Sequence, residues 1–238
     1  MDGLNAGRRR LAPIARVVDH LVFAAPGLDV GVRHVETLLG APMQPGGRHE
    51  GFGTHNRLLG FGGRAYMEVV SPDPEQAAPD GPRWFGLDTL ASPRLVTWCV
   101  SIRNLRLPDD DGRVPDHPVP DLATLSARAR AAGVDLGETR QGVRARTDGS
   151  VLRWSMTDPW ADRAGGVIPF FIDWGASPHP AESLAPSCAL VGMRVEHPEP
   201  ERVGTWLRAL GLDTPVAWAQ APGVIATLET PNGTMELK

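Results

Sequence analysis

Apolar and polar positions along this chain recur in one order. Residues 17–23 form an apolar run of strand length, interrupted only by Asp19 and His20, and Ala25-Pro26-Gly27-Leu28-Asp29 beyond it reads as a turn whose Asp can cap a helix. Val30, Val32, Val35, Leu38 and Leu39 then repeat at helical spacing, with Gly40 where a helix C-terminus favours glycine. Strand signals return at residues 56–61 and 66–70 with Gly62-Gly63 as the hairpin turn, while Gly46, Gly47 and Gly51 leave the strand before them short or irregular. The order recurs from residue 95: a strand over 95–102, a helix over 121–132, and strands near 137–141, 151–156 and 167–173. It recurs again as a strand over 189–195, a helix over 201–210 and strands at 216–220, 223–228 and 234–237. The pattern predicts an α+β chain of three βαβββ modules, 17–70, 95–174 and 189–238, with the first two forming one domain over 17–174.

Residues 71–93 and 175–187 are rich in Pro, Ala and Ser and serve as connectors, and 108–120 reads as a surface loop whose acidic residues lack calcium-loop spacing. Residues 1–16 read as a frayed tail: Arg8-Arg9-Arg10 resembles the start of an export signal, but Arg16, Asp19 and His20 break the apolar stretch behind it. No run reaches membrane-spanning length. With 238 residues, 42% of them apolar, and a formal net charge of -4, the chain has a core to bury and no general attraction for nucleic acid or anionic lipid. A small molecule is the expected partner. Two cysteines, Cys99 and Cys188, without CxxC spacing suit a reducing cytoplasm. Neither a phosphate loop nor a dinucleotide fingerprint occurs, so no nucleotide cofactor is expected.

A βαβββ unit with His20 on its first strand and Glu68 on its last resembles the vicinal oxygen chelate superfamily, which includes glyoxalase I, extradiol dioxygenases and bleomycin-type resistance proteins. Gly46-Gly47-Arg48-His49, Gly53-Thr54-His55-Asn56-Arg57-Leu58, Arg83-Trp84-Phe85-Gly86-Leu87-Asp88, Pro169-Phe170-Phe171-Ile172-Asp173-Trp174-Gly175 and His179-Pro180 look, in that order, like the bacterial glyoxalase-like domain family. The resemblance implies a glyoxalase-like fold, with paired modules forming curved mixed sheets around a cleft. It also implies a divalent metal (Fe, Mn, Zn or Ni) there, held by residues from the first and fourth strands of each module. Such a cation polarises substrate oxygens for lyase, isomerase or dioxygenase chemistry.

Strand alternation puts His20 on the face of Val18 and Val22, and Glu68 on the face of Tyr66 and Val70, so both point where apolar neighbours point. His20, Glu68 and His55 are the expected metal ligands, two His and one carboxylate as in non-haem iron sites, with Glu236 as an alternative third. The second module offers only Thr97, Trp98 or Cys99 and Phe170, Phe171 or Ile172 at the matching places. His55 and His49, the latter on a glycine-rich loop, are the candidate acid/base residues. Arg48, Asn56, Arg57 and Arg83 are candidates for holding an anionic substrate, with Trp84 as a pocket wall and Phe85 as packing. Trp154, Trp174 and Trp206 read as core, and His179-Pro180 as a turn. The competing function is a metal-free module that sequesters a flat apolar compound. An odd number of modules leaves one sheet edge open, so a homodimer is expected to cover it.

Overall fold

The computed structural model describes residues 16–107, 113, 116–117, 119, 121–146 and 148–238; the expected N-terminal tail and most of the 108–120 loop lie outside the described residues. The βαβββ order appears three times: β1 (Val18–Ala24), α1 (Leu28–Leu39), β2 (Gln44–His49), β3 (Thr54–Gly60) and β4 (Tyr66–Pro72); β5 (Arg94–Ser101), α2 (Leu122–Ala131), β6 (Arg140–Arg146), β7 (Val151–Met156) and β8 (Phe170–Asp173); then β9 (Ala189–His197), α3 (Pro200–Ala209), β10 (Val216–Trp218), β11 (Gly223–Thr230) and β12 (Gly233–Leu237). Gly40 ends α1 in the left-handed conformation, and Asp121 caps α2 by accepting the Thr124 N–H.

The first eight strands close into a barrel in the order β1-β4-β3-β2-β6-β7-β8-β5. Its two halves meet at antiparallel seams, β1 on β5 and β2 on β6, and within each half the first strand lies parallel to the fourth. The fold is thus α+β, as expected, with the curved sheets joined all the way round.

Alternation along the strands sorts side chains into two apolar sets. Val22, Ala24, Leu58, Tyr66, Val70, Cys99, Trp154, Met156, Phe170 and Ile172 fill the barrel interior. Leu21, Phe23, Leu59, Met67, Val69, Trp98 and Val100 face outward, beneath α1, α2 and the third module. In that module β10-β9-β11-β12 form a separate sheet whose Leu190, Met193, Val195, Val224 and Leu228 join the outer set. Its apolar face is therefore covered within the chain, while β10 and β12 remain its edge strands. No helix among the described residues is long and apolar enough to cross a membrane.

Three local departures from the expected pattern shape the interior. A bulge sits in β1, where Val18 pairs with Val100 and His20 with Cys99, so one residue of β1 is extra. Val18 consequently joins the outer set rather than sharing a face with His20, and Asp19 is buried completely. The glycines at 46 and 47 belong to β2, not to a loop, because a Cβ at Gly46 would stand 2.1 Å from Asn56 Oδ1. Finally, β6 begins at Arg140 rather than near Gly137, which is in the left-handed region at φ +68° and turns the chain.

Gly142 in β6 lies under Trp154, and a Cβ there would meet the indole at 2.2 Å. Gly142→Ala is expected to cost about 1–3 kcal/mol by overpacking, read as a lower urea midpoint at unchanged slope. An unchanged midpoint would contradict the packing of Trp154 on that glycine.

Candidate active site

Inside the barrel His20, His49, Tyr66, Glu68, Trp84, Phe85, Arg144, Trp154, Met156, Phe170, Ile172 and Trp174 line a cavity of about 20 Å³, room for roughly one water molecule or ion. Strand parity delivers them: Tyr66 and Glu68 from β4, Arg144 from β6, Trp154 and Met156 from β7, Phe170 and Ile172 from β8.

Asp19 organises one wall. Its Oδ1 is 2.7 Å from His20 Nδ1, and its Oδ2 is 3.1 Å from Trp174 Nε1 and 3.0 Å from His179 Nε2. Burial alone would raise the Asp19 pKa; hydrogen bonds from His179 and His20 and their charges outweigh it, lowering the value to about 2. An ionised carboxylate only accepts, so Nδ1 of His20 carries a proton and Nε2 is left facing Glu68 Oε1 at 3.8 Å. The ring is also clamped between Tyr66, stacked at 4.8 Å, and the edge of Phe170 at 5.4 Å.

Glu68 is held from the other side. Asn56 Nδ2 donates to Glu68 Oε2 at 2.6 Å, and the Gly47 N–H donates to Asn56 Oδ1, which settles the amide's orientation. The second Nδ2 hydrogen is directed at His49 Nε2, 3.3 Å away, and His49 Nδ1 is 3.0 Å from Thr54 Oγ1. His49 has its pKa lowered well below 6.5, by burial first and then by the charges of Arg144, His55 and His20. With both nitrogens engaged, His49 fits the positioning of Asn56 and Glu68 better than proton transfer.

The expected residues divide accordingly. His20, Glu68, His49, Asn56 and Trp84 gather in or beside the cavity, and Phe85, expected only to pack, lines it too. His55, expected as third ligand and acid/base, points away: Thr54 and Asn56 take the inward face of β3, and His55 lies on the other side with Nδ1 3.7 Å from Asp73. Arg57 is exposed and lines an outer groove with His55 and Arg83. Arg48 pairs with Asp73 and Glu75, and Arg83 with Asp88 and the Gly53 carbonyl. None of the three expected arginines enters the barrel. Glu236 lies exposed on the third sheet, paired with half-buried Arg194.

Missed by sequence reasoning were Asp19, His179, Trp174 and Arg144. A charged residue beside His20 in an apolar run was a signal for Asp19. His179 was hidden in a connector, where its Nδ1 also accepts the Ala181 N–H and so caps a short 3-10 turn. Arg144 was hidden because β6 reads as polar, Arg-Gln-Gly-Val-Arg-Ala-Arg.

The donors that face the cavity with free lone pairs are His20 Nε2 and Glu68 Oε1. Asp19, His20 and Cys99 also bring potential ligand atoms within 4.8 Å of one another. In that second group the Asp19 oxygens are already engaged, and burial raises the Cys99 thiol well above its ordinary pKa, keeping it protonated. The donor set therefore fits a divalent cation held by His20 and Glu68, with Asp19 behind the histidine as the orienting carboxylate.

The cavity is roofed by the connector. Trp84 is stacked on Phe52 at 4.3 Å and on Phe85 at 5.1 Å, and Phe85 leans on Phe170 at 5.5 Å. Phe85 has φ +58°, a left-handed conformation that costs a non-glycine residue roughly 1 kcal/mol or more and is sustained here by aromatic packing.

Comparisons with known proteins agree with this architecture. The model of the glyoxalase-like domain family matches residues 18–211. A hypothetical protein from Staphylococcus aureus has a similar structure at 14% identity, with TM-score 0.54 over 92% of this chain and 83% of that one. Methylmalonyl-CoA epimerase from Mycobacterium tuberculosis aligns at 21% identity and TM-score 0.39 over 69% of this chain and 93% of that one. A mutant of 4-hydroxymandelate synthase from Streptomyces coelicolor aligns at 12% and 0.43 over 93% and 62%. The first likeness supports the fold; the other two scores are too low to carry an argument. No curated protein matches the chain.

Because folding depresses the Asp19 pKa from 3.8 to about 2, its stabilisation is complete above pH 4 and is lost as pH falls toward 2. The shift corresponds to about 2 kcal/mol. Urea unfolding across that window is expected to show the loss in the wild type and a flatter dependence in Asp19→Asn; equal slopes would remove Asp19 from this role.

Proposed function

The chain belongs to the glyoxalase-like domain family, and from that premise we propose that it is a small-molecule enzyme of the vicinal oxygen chelate type, with His20 and Glu68 holding a divalent cation inside the barrel. The observation that carries this reading is the Asp19–His20 hydrogen bond at 2.7 Å, which aims His20 Nε2 at Glu68. A carboxylate behind a histidine is the arrangement that fixes the ring of a metal ligand and raises its basicity.

When bound, the cation supplies electron withdrawal from substrate oxygens, the basis of lyase, isomerase or dioxygenase chemistry. The chain's residues do the rest. Asn56 keeps one Glu68 oxygen occupied and leaves the other toward His20. The aromatic walls exclude water and strengthen every charge interaction inside. Trp84 and Phe85 cover the mouth, so a substrate larger than the present cavity enters by displacing them. Iron, manganese, zinc and nickel all suit one imidazole and one carboxylate with open positions. Both cysteines are free and buried, in keeping with a reducing cytoplasm.

A second reading, metal-free binding of an apolar compound, has its own observation. At the interior positions matching His20 and Glu68, the second half supplies Cys99 and the aromatic and aliphatic Phe170 and Ile172, none of them a hard-cation ligand.

Purified protein is expected to carry about one divalent ion per chain by elemental analysis, with His20→Ala and Glu68→Ala each reducing it at least tenfold. A chelator should lower the melting temperature of wild type but not of the variants. Wild type that holds no ion and ignores chelator, while still gaining stability from apolar compounds, would favour the second reading.

A further inference from the structure

Two buried arginines stand near the barrel interior, and their surroundings differ. Arg163 Nε is buried without a partner, but its terminal nitrogens donate to Thr97 Oγ1 at 2.8 Å and to the carbonyls of Ile168 and Pro159. Arg144 lines the cavity at 3% exposure, and its Nε has no hydrogen-bond partner. Glu68 lies close enough for its charge to act on Arg144, yet forms no ion pair or hydrogen bond with it. A second donor is left over in the same cavity: Trp84 Nε1, also buried without a partner.

A guanidinium out of water without compensating oxygens is costly, since its desolvation is repaid only by good hydrogen bonds to an anion or carbonyl. Gly47 makes the placement feasible, because a Cβ there would press on Arg144 Cγ at 3.0 Å. The same cavity presents acceptors, His20 Nε2 and Glu68 Oε1, while Tyr66, Trp154, Phe170 and Trp174 supply flat apolar sides. The Arg144 and Trp84 donors thus lack acceptors, while His20 Nε2 and Glu68 Oε1 face the cavity without a cation or donor.

We propose that Arg144, assisted by the Trp84 indole N–H, is the anion subsite of this barrel and takes the carboxylate of a small aromatic or otherwise planar carboxylic acid. This rests on reading the interior as a substrate site. A carboxylate offers two oxygens in the plane of the guanidinium fork, the geometry for which arginine is suited, and a planar body matches the aromatic walls. The Trp84–Phe85 roof shifts outward to admit it.

The test uses benzoate, with benzamide as its neutral counterpart of similar shape, followed by tryptophan fluorescence and thermal shift on the full chain. Benzoate is expected to bind saturably, at least tenfold tighter than benzamide, in protein treated with chelator as well as in untreated protein. Arg144→Gln should weaken benzoate at least tenfold and leave benzamide unchanged, with Arg144→Lys intermediate. His20→Ala should retain benzoate binding, so the subsite stands or falls separately from the metal reading. Benzoate binding that vanishes with chelator would assign the carboxylate to a metal and overturn the proposal. Equal affinities for benzoate and benzamide, or no binding of either, would overturn it without recourse to any variant.

Discussion

Everything in this barrel's interior depends on one buried carboxylate. Asp19 has no exposure to water and answers its own desolvation with three donors, from His20, Trp174 and His179. Those donors come from the first strand, the end of the eighth and the connector beyond, so one charge ties both halves of the barrel at the β1/β5 seam. The bulge makes this arrangement available. With an extra residue in β1, Asp19 and His20 are both buried, and the aspartate fixes the histidine ring next to it.

That constraint propagates. Once His20 Nδ1 is committed, Nε2 is the atom presented to Glu68, and Glu68 is held by Asn56, which is seated in turn by the Gly47 amide and His49. Glycines in β2 remove side chains that would collide with Asn56 and Arg144, so glycine here serves packing of polar groups rather than chain flexibility. The rest of the lining is largely aromatic, and Arg144 is left with hydrogen-bonding capacity unspent. The interior therefore combines a few polar groups with aromatic walls, the usual make-up of a small-molecule site.

Much of the fold could be read from the chain because hydrophobic period switches at each element: strand-length apolar runs, then helical spacing, then glycine-bounded strands, three times over. His20 and Glu68 were legible because a titratable residue within an apolar strand is conspicuous. What could not be read is what a bulge or a connector decides. Plain alternation puts His20 with Val18, whereas the bulge sends Val18 outward. Alternation along β3 also excludes His55, whose neighbours Thr54 and Asn56 take the inward positions. His179 reaches the site from a connector 160 residues from Asp19 in sequence, a separation no local pattern encodes. Arg144 sits in a strand too polar to be recognised as one, since only Gly142 and Arg144 in it are buried. The family match over residues 18–211 agrees with the repeated pattern.

The central claim is that Asp19 fixes the His20 ring so that Nε2 is the nitrogen available to a ligand or proton. Long-range proton–nitrogen NMR of 15N-histidine protein, with His20 assigned through His20→Gln, reads this directly. The account predicts a protonated, hydrogen-bonded Nδ1 whose signature is lost in Asp19→Asn, and an Nε2 resonance that shifts on adding zinc. A proton resident on Nε2 with a bare Nδ1, unaffected by Asp19→Asn, would contradict it.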